Sequence, residues 1–120
     1  MTMTHRPFEF SMRVSGERAM LGAVRELASQ VAAYAGGQAL ATAVADEVVT
    51  AAEAAIAASR GDGTPVDVVF KRSPACLDVF VSGGRATALN ATHLSRGHGL
   101  SVRWIEGEAG PVCHIRQATE

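Results

Sequence analysis

The sequence predicts an α+β fold: a two-layer sandwich of a mixed, mostly antiparallel sheet with two main helices on one face. Near the start and through the second half of the chain, apolar and polar residues alternate, which is the period of a strand with one buried face. Between these regions the apolar residues recur every three or four positions, as in amphipathic helices. The resulting order, β-α-α-β-β-loop-β-β, favours helices collected on one side of a sheet.

The first half of the chain predicts one strand followed by two helices. Residues 8–14 alternate in the strand period. A helix is predicted over 16–35, with Ser15 as its cap and apolar residues at spacings of three and four: Met20, Val24, Leu27, Val31 and Tyr34. Gly36-Gly37 ends this helix, because glycine accepts the left-handed conformation of helix ends. A second helical pattern covers 38–59.

The second half of the chain predicts two antiparallel strand pairs separated by a loop. The first pair has a turn at Ser73-Pro74 and apolar faces on both sides of it: Val66, Val68, Phe70, Leu77, Val79 and Val81. The polar stretch 85–99 is the longest predicted loop. A closing hairpin is predicted around the turn at 106–111, with Trp104 on one side and His114 on the other. Trp104 is predicted to lie in the core, with an interface anchor as the alternative.

Length, composition and charge narrow the range of functions. A chain of 120 residues with 48% hydrophobic content predicts a single domain over 1–120, with a disordered tail at 1–6. The net charge of −1, without runs of either sign, argues against nucleic acid as a partner. A membrane span and an apolar signal region are both missing from the sequence, which favours a cytoplasmic protein. Cys76 and Cys113 are expected to be buried thiols without a nucleophilic role.

The second predicted helix carries a carboxylate on the shoulder of its apolar stripe. In a helix with 100° per residue, an apolar stripe centred on Val44 spans about 40° to each side and contains Leu40, Val48, Ala51 and Ala55. Glu47 lies about 60° to one side of Val44. Glu47 is therefore expected at the edge of the core. An acid/base residue and a solvated or arginine-paired carboxylate are both compatible with that position.

Three stretches, in this order, resemble the bacterial anti-sigma regulatory factors and serine-protein kinases of the histidine-kinase-like (GHKL) ATPase superfamily. VSGERAMLGAVRELASQVA is similar to the opening helix of that family, with its arginine at Arg25. ADEVVTAAEAAIAAS occupies the place of the helix known as the N-box. GHGLSV is similar to the glycine-rich G2 box that follows the mobile ATP lid. The resemblance covers residues 8 to 117 and implies a truncated GHKL fold.

The resemblance also implies a degenerate catalytic site. The N-box glutamate of the family orients or deprotonates the attacking group, and an asparagine four residues later binds magnesium. The matched positions are Glu47 and Ala51, and an alanine methyl group cannot ligate magnesium. Glu47 is then a vestigial catalytic candidate, and no metal ligand is expected at Ala51.

The family's nucleotide-binding positions are altered as well. The aspartate that accepts a hydrogen bond from adenine falls on Ser82 or Gly83. Candidate cofactor-binding residues are therefore Ser82, Gly83, Gly84, Arg96, Gly97, His98 and Gly99. The alternatives are a sharp strand end at 82–84 and a loop hinge at 97–99. The helix that follows the G2 box in the family is expected to be short or absent, since only 21 residues follow Gly99. No histidine pair has a metal-ligand spacing.

These observations lead to three functional hypotheses. The first is a bacterial regulator of transcription that binds a sigma factor or a STAS-type anti-sigma-factor antagonist, with no cofactor and with a possible homodimer on the sheet or the first helix, as the resemblance implies. The second is an active serine-protein kinase in which ATP and magnesium bind, Glu47 is the base, and Thr50 or Glu53 holds the metal. The third is an unrelated α+β domain with a small-molecule pocket.

Overall fold

The computed structural model describes residues 8–14, 18–36, 38–58, 65–73, 75–83, 94–97, 99–107 and 110–118. In this part of the chain two helices pack on one face of a six-stranded sheet, which confirms the predicted α+β two-layer sandwich. The tail predicted at 1–6 lies outside the described residues.

Both predicted helices are present, with small changes at their ends. A 3-10 turn at Arg18–Met20 leads into α1, Leu21–Gly36, and α2 covers Gln38–Ala58. The first helix therefore begins later than predicted and ends at the first glycine of the pair. Within the described residues, no helix combines the length and apolar character needed to cross a membrane.

The strands are β1 Phe8–Val14, β2 Val66–Arg72, β3 Cys76–Gly83, β4 Leu94–Gly97, β5 Leu100–Gly107 and β6 Gly110–Ala118. They lie in the order β1-β2-β3-β6-β5-β4, and each neighbouring pair in the described sheet is antiparallel. The expectation of a mixed sheet is therefore wrong. β3 and β5 run in the same direction, but β6 lies between them, so that no two parallel strands are neighbours.

The strand β4 lies inside the polar stretch 85–99 that was predicted as a loop. It contains only four residues, and its pairing with β5 shifts at a bulge between Ser95 and Gly97. A strand this short, with a register shift, has no apolar alternation for a sequence pattern to detect. The closing hairpin of β5 and β6 is confirmed, with Trp104 opposite Cys113.

The core lies between the helices and the apolar face of the sheet. The sheet contributes fully buried side chains from its three central strands: Val66, Val68, Phe70, Leu77, Val79, Val81 and Ile115. The buried side chains of the helices are mainly alanine and valine: Val24, Ala28, Ala32, Ala35, Ala41, Ala45, Val48, Ala52 and Ala55. Alanine side chains allow two helices to approach closely.

The apolar stripe predicted for the first helix is only partly buried. Val24 lies in the core, but Leu27 and Val31 are half-buried and Tyr34 is 71% exposed. The buried residues of α1 are mainly alanines, and its larger apolar residues lie on the flank beside β1. There the ring of Tyr34 contacts that of Phe8, with 5.9 Å between centroids.

Truncation of the central aromatic residue tests this description of the core. Phe70→Ala removes a fully buried ring and is expected to lower the free energy of unfolding by about 3 to 5 kcal/mol. Val69→Ala, at the next position on the other face of β2, is the matched control and is expected to cost about 1 kcal/mol or less. Urea unfolding followed by circular dichroism measures both. Equal losses in the two variants would contradict the assigned faces.

Candidate functional site

Glu47 lies at the margin of the layer between α2 and the sheet. It is half-buried, as its angular position predicts. Cys113 of β6 lies close to it: burial, and secondarily the negative charge of Glu47, raises the pKa of the Cys113 thiol from 9.0 to about 12. Trp104 is opposite Cys113 and packs against the same core. The surroundings of Glu47 therefore include a neutral thiol and core side chains.

The residues around Glu47 on α2 do not form a cation site with it. Ala51 is only 3% exposed and packs in the core. The hydroxyl of Thr50 donates to the backbone carbonyl of Asp46 at 2.8 Å. Glu53 is exposed and six residues on, which places it about 120° around the helix from Glu47. Among the described residues, no group of three or more histidine, cysteine, aspartate and glutamate side chains has a metal-binding arrangement.

Ser82 lies on the face of the sheet away from the helices, which we term the open face. Along β3 the buried Val81 faces the helices and the half-buried Ser82 faces the other way. Ser82 pairs with Asp67 of β2 and Val112 of β6. The Ser82 hydroxyl and the Glu47 carboxylate are therefore on opposite sides of the sheet. Gly83 ends β3, and Gly84 lies outside the described residues.

The glycines of the G2-like stretch form a hairpin turn. Arg96 and Gly97 end β4, His98 lies outside the described residues, and β5 starts directly at Leu100, so no helix follows the turn. Gly99 has a positive φ of 77°, and a Cβ there would lie 2.8 Å from the Cβ of Ala118. Its carbonyl accepts a hydrogen bond from the Ala118 amide at 3.0 Å. The close approach of β6 is sufficient reason for a glycine at 99.

The two glycine segments of the predicted nucleotide site lie at opposite ends of the sheet. Ser82 is opposite Val112, whereas Gly99 contacts Ala118. These two β6 residues are six positions apart, which corresponds to about 20 Å of strand. Glu47, next to Cys113, lies toward the Ser82 end. The structure thus brings Glu47 and the end of β3 to one end of the sheet and places the 97–99 turn at the other.

The open face carries a polar cluster, centred on the buried His114, that the sequence analysis did not predict. His114 Nε2 is 2.7 Å from Asp78 Oδ1, and Arg116 Nε is 3.6 Å from the same oxygen. Arg103 Nε donates to His114 Nδ1 at 3.3 Å. A guanidinium only donates, so this contact needs a lone pair on Nδ1, and the tautomer that fits it has its proton on Nε2, facing Asp78. Phe80 stacks on the imidazole with 4.5 Å between centroids.

Both cysteines are free and buried, as expected. The Cys76 sulfur lies 3.1 Å from the Ser73 hydroxyl and 3.4 Å from Asp78 Oδ2, and it accepts from Arg116 at 3.4 Å. It therefore extends the open-face cluster. Asp78 and His114 are 36 residues apart. The sequence pattern that could have indicated this contact is the alternation of apolar and polar residues, which places Asp78 and His114 on the polar sides of their strands.

No protein-family model matches this chain, and a search of curated proteins finds no match either.

Introduction of an asparagine tests whether position 51 belongs to the core. Ala51→Asn is expected to lower the free energy of unfolding by about 2 to 4 kcal/mol, because a buried amide loses its water and must displace neighbouring side chains. Thr50→Asn, on the exposed side of the same turn, is the control, with a change of about 0.5 kcal/mol. Urea unfolding measures both. An unchanged stability of Ala51→Asn would show that the site has room for a ligand.

The raised pKa of Cys113 predicts a pH dependence of stability. The thiol ionises near 9.0 in the unfolded chain and near 12 in the folded protein, so above pH 9 the unfolded state loses its proton first. The free energy of unfolding is expected to fall by about 1.4 kcal/mol per pH unit above pH 9 through this group. Unfolding at pH 8, 9 and 10 measures it, and Cys113→Ala is the control that lacks this contribution. Parallel pH profiles for the two proteins would contradict the burial of the thiol.

Proposed function

We propose that this chain is a regulator of the anti-sigma type that acts by binding another protein, with nucleotide binding lost or weak. The observation that carries the proposal is the position of Ala51, whose methyl group fills the core where the resembled family places its magnesium ligand. Burial of the helices against the sheet needs none of the polar groups of a nucleotide site, so a fold persists after such a site is lost.

The separation of the glycine segments supports the same proposal. A nucleotide bound next to Glu47 is within reach of the β3 end, but the 97–99 turn lies about 20 Å along the sheet. The carbonyl of Gly99 in that turn accepts a hydrogen bond from the amide of Ala118, and β5 begins directly after the turn. The phosphate binding by backbone amides that the resemblance implies is therefore weakened.

The kinase hypothesis is disfavoured as well, since neither Thr50 nor Glu53 is placed to complete a metal site with Glu47.

The open face supplies a surface suited to a protein partner. It combines Phe80 and the 36% exposed Ile105 with the exposed guanidinium groups of Arg103 and Arg116. Aromatic residues and arginine are enriched in protein interfaces, where they contribute much of the binding free energy. The partner that the resemblance implies is a sigma factor or a STAS-type antagonist in the bacterial cytoplasm, and the process is regulation of transcription.

Two binding measurements test the proposal. With millimolar ATP and magnesium, we expect no heat in calorimetry and no rise in Tm, because only a ligand that binds the native state stabilises it. With the sigma factors and STAS-type proteins of the source organism, purified one at a time, we expect one complex with a Kd of about 1 μM or below.

A pair of variants locates the interface in the same assay. Arg103→Ala removes an exposed arginine of the open face and is expected to weaken the complex about tenfold or more. Thr42→Ala, on the exposed side of α2, is the matched control without effect. A rise in Tm with ATP and magnesium would support the kinase instead. Failure of every sigma factor and STAS-type protein to bind would overturn the proposal.

A further inference from the structure

Six side chains form two neighbouring rows across the middle of the open face, and we term them the central patch. Strand register defines the rows, which hold Lys71, Asp78 and Arg116 in the first and Phe80, His114 and Arg103 in the second. All six project from the same side of the sheet, because each lies two positions along its strand from another member or directly opposite one on the next strand. The patch therefore combines three cations, one carboxylate and two stacked rings.

The exposed charges of the central patch are positive. The side chains of Lys71 and Arg116 are 53% and 59% exposed, and Arg103 is exposed as well. The side chain of Asp78 is only 18% exposed, and its Oδ1 lies 2.7 Å from His114 Nε2 and 3.6 Å from Arg116 Nε. A partner that approaches the patch therefore meets three cations before the one anion, although the whole chain has a net charge of −1.

The contact between Arg103 and His114 is one that an arriving anion can open. Arg103 Nε donates to His114 Nδ1 at 3.3 Å, which is long for a hydrogen bond from nitrogen. A carboxylate accepts two parallel hydrogen bonds from a guanidinium, whereas the imidazole accepts one. A carboxylate that arrives over the exposed Arg103 therefore competes with the ring for the guanidinium, and His114 Nδ1 loses its donor.

Loss of Arg103 changes which protonation state of His114 fits its surroundings. While Arg103 donates to Nδ1, a proton on that nitrogen would place one donor against another. Once a carboxylate holds Arg103, a proton on Nδ1 can be donated to that carboxylate, and Nε2 stays 2.7 Å from Asp78 Oδ1. The doubly protonated ring then lies between two negative groups, which favour its positive charge.

Two further cations lie near His114 and oppose its protonation in the free protein. Arg116, on the same strand, is 3.6 Å from the carboxylate that His114 contacts. Lys71 of β2 has its Nζ 5.5 Å from the centre of the Phe80 ring, and that ring stacks on the imidazole. Counting Arg103, three cations and one carboxylate lie around the imidazole among the described side chains. An acidic partner supplies a second carboxylate.

We propose that the central patch binds an acidic segment of the partner protein, and that His114 takes up a proton when a carboxylate of that segment pairs with Arg103. This binding mode rests on the proposed function and adds to it the chemistry of the partner surface. Charge complementarity selects the occupant, since the patch exposes three cations and shields its own carboxylate. Nucleic acid is a poorer fit, because the exposed carboxylates of Glu9 and Asp67 on the same face repel a long phosphate backbone.

An acidic peptide is the probe for this binding. In an extended peptide of about ten alternating glutamate and serine residues, all carboxylates point to one side, about 7 Å apart. A fluorescently labelled peptide of this kind is expected to bind the wild-type chain at low salt with a Kd of about 100 μM or below. The Kd is expected to rise about tenfold in about 0.5 M NaCl, because salt screens exposed charges.

A matched pair of variants locates the bound peptide. Arg103→Gln removes the cation that pairs with the arriving carboxylate and is expected to raise the Kd about tenfold. Arg13→Gln removes the same charge from β1, on the same face but outside the patch, and is expected to change the Kd by about twofold or less.

The pH dependence of the same binding measures the proton. A complex that takes up a proton becomes tighter as the pH falls, so the Kd is expected to be about tenfold lower at pH 6 than at pH 8. The glutamates of the peptide stay ionised over this range, because their ordinary pKa is about 4.3. His114→Gln keeps a polar side chain without a titrating group, and its Kd is expected to be the same at both pH values.

Calorimetry on the wild-type chain gives a second measurement that does not depend on the folding of His114→Gln. The heats of peptide binding at pH 7 in phosphate and in Tris are expected to differ, because the buffer supplies the proton and the two buffers have different ionisation enthalpies. Equal heats in the two buffers, together with a Kd that is constant between pH 6 and pH 8, would refute proton uptake by His114.

The acidic partner segment is tested by the peptide itself. Absence of peptide binding, or equal loss of affinity in Arg103→Gln and Arg13→Gln, would overturn the proposal. Tighter binding of a single-stranded DNA of equal charge would overturn it as well and assign the patch to nucleic acid. These measurements use no sigma factor and no STAS-type protein, so a chain that fails them and still binds one of those proteins retains the proposed function.

Discussion

The close packing of α1 against α2 over the sheet is the contact on which the rest of the structure depends. Ala28, Ala32, Ala45 and Ala52 are each at most 1% exposed, and small side chains of this kind allow two helix backbones to approach closely. The paired helices then cover the valine and phenylalanine side chains of β2, β3 and β6, whose removal from water contributes about 25 cal/mol per Å². This packing sets Glu47 at the margin of the layer and leaves the larger residues of α1 on its flank. Both described helices therefore lie on one face of the sheet.

Much of the fold was predictable, because apolar periodicity records which side of each element is buried. The period of two in residues 8–14 and the spacing of three and four in 38–58 both depend on local burial. The existence of β4, the exposure of Tyr34 and the antiparallel order of every described pair depend on contacts between distant segments. Periodicity does not report such contacts, since it describes one element at a time.

Part of the candidate site could also be predicted from the sequence, and part of it could not. The half-buried position of Glu47 followed from 100° per residue along one helix, and so did the burial of Ala51. The partners of Ser82 and Gly99 lie about 20 Å apart along β6, and this separation was not predictable from helix periodicity. The order of motifs along a chain does not specify the end of the sheet to which a hairpin returns. The contact of Asp78 with His114 also needed strand register, which joins residues 36 positions apart. The order of the motifs along the chain therefore did not predict how far apart the two glycine segments lie in the fold.

The positive φ of Gly99 has a consequence for how this chain is compared across species. Any side chain there is strained by the backbone conformation and meets Ala118, so substitution is expected to destabilise the fold whether or not a phosphate is ever bound. Conservation of this glycine in orthologues would then reflect the backbone conformation of the turn and its close contact with the last strand. Invariance of the glycine alone would therefore not indicate a phosphate site.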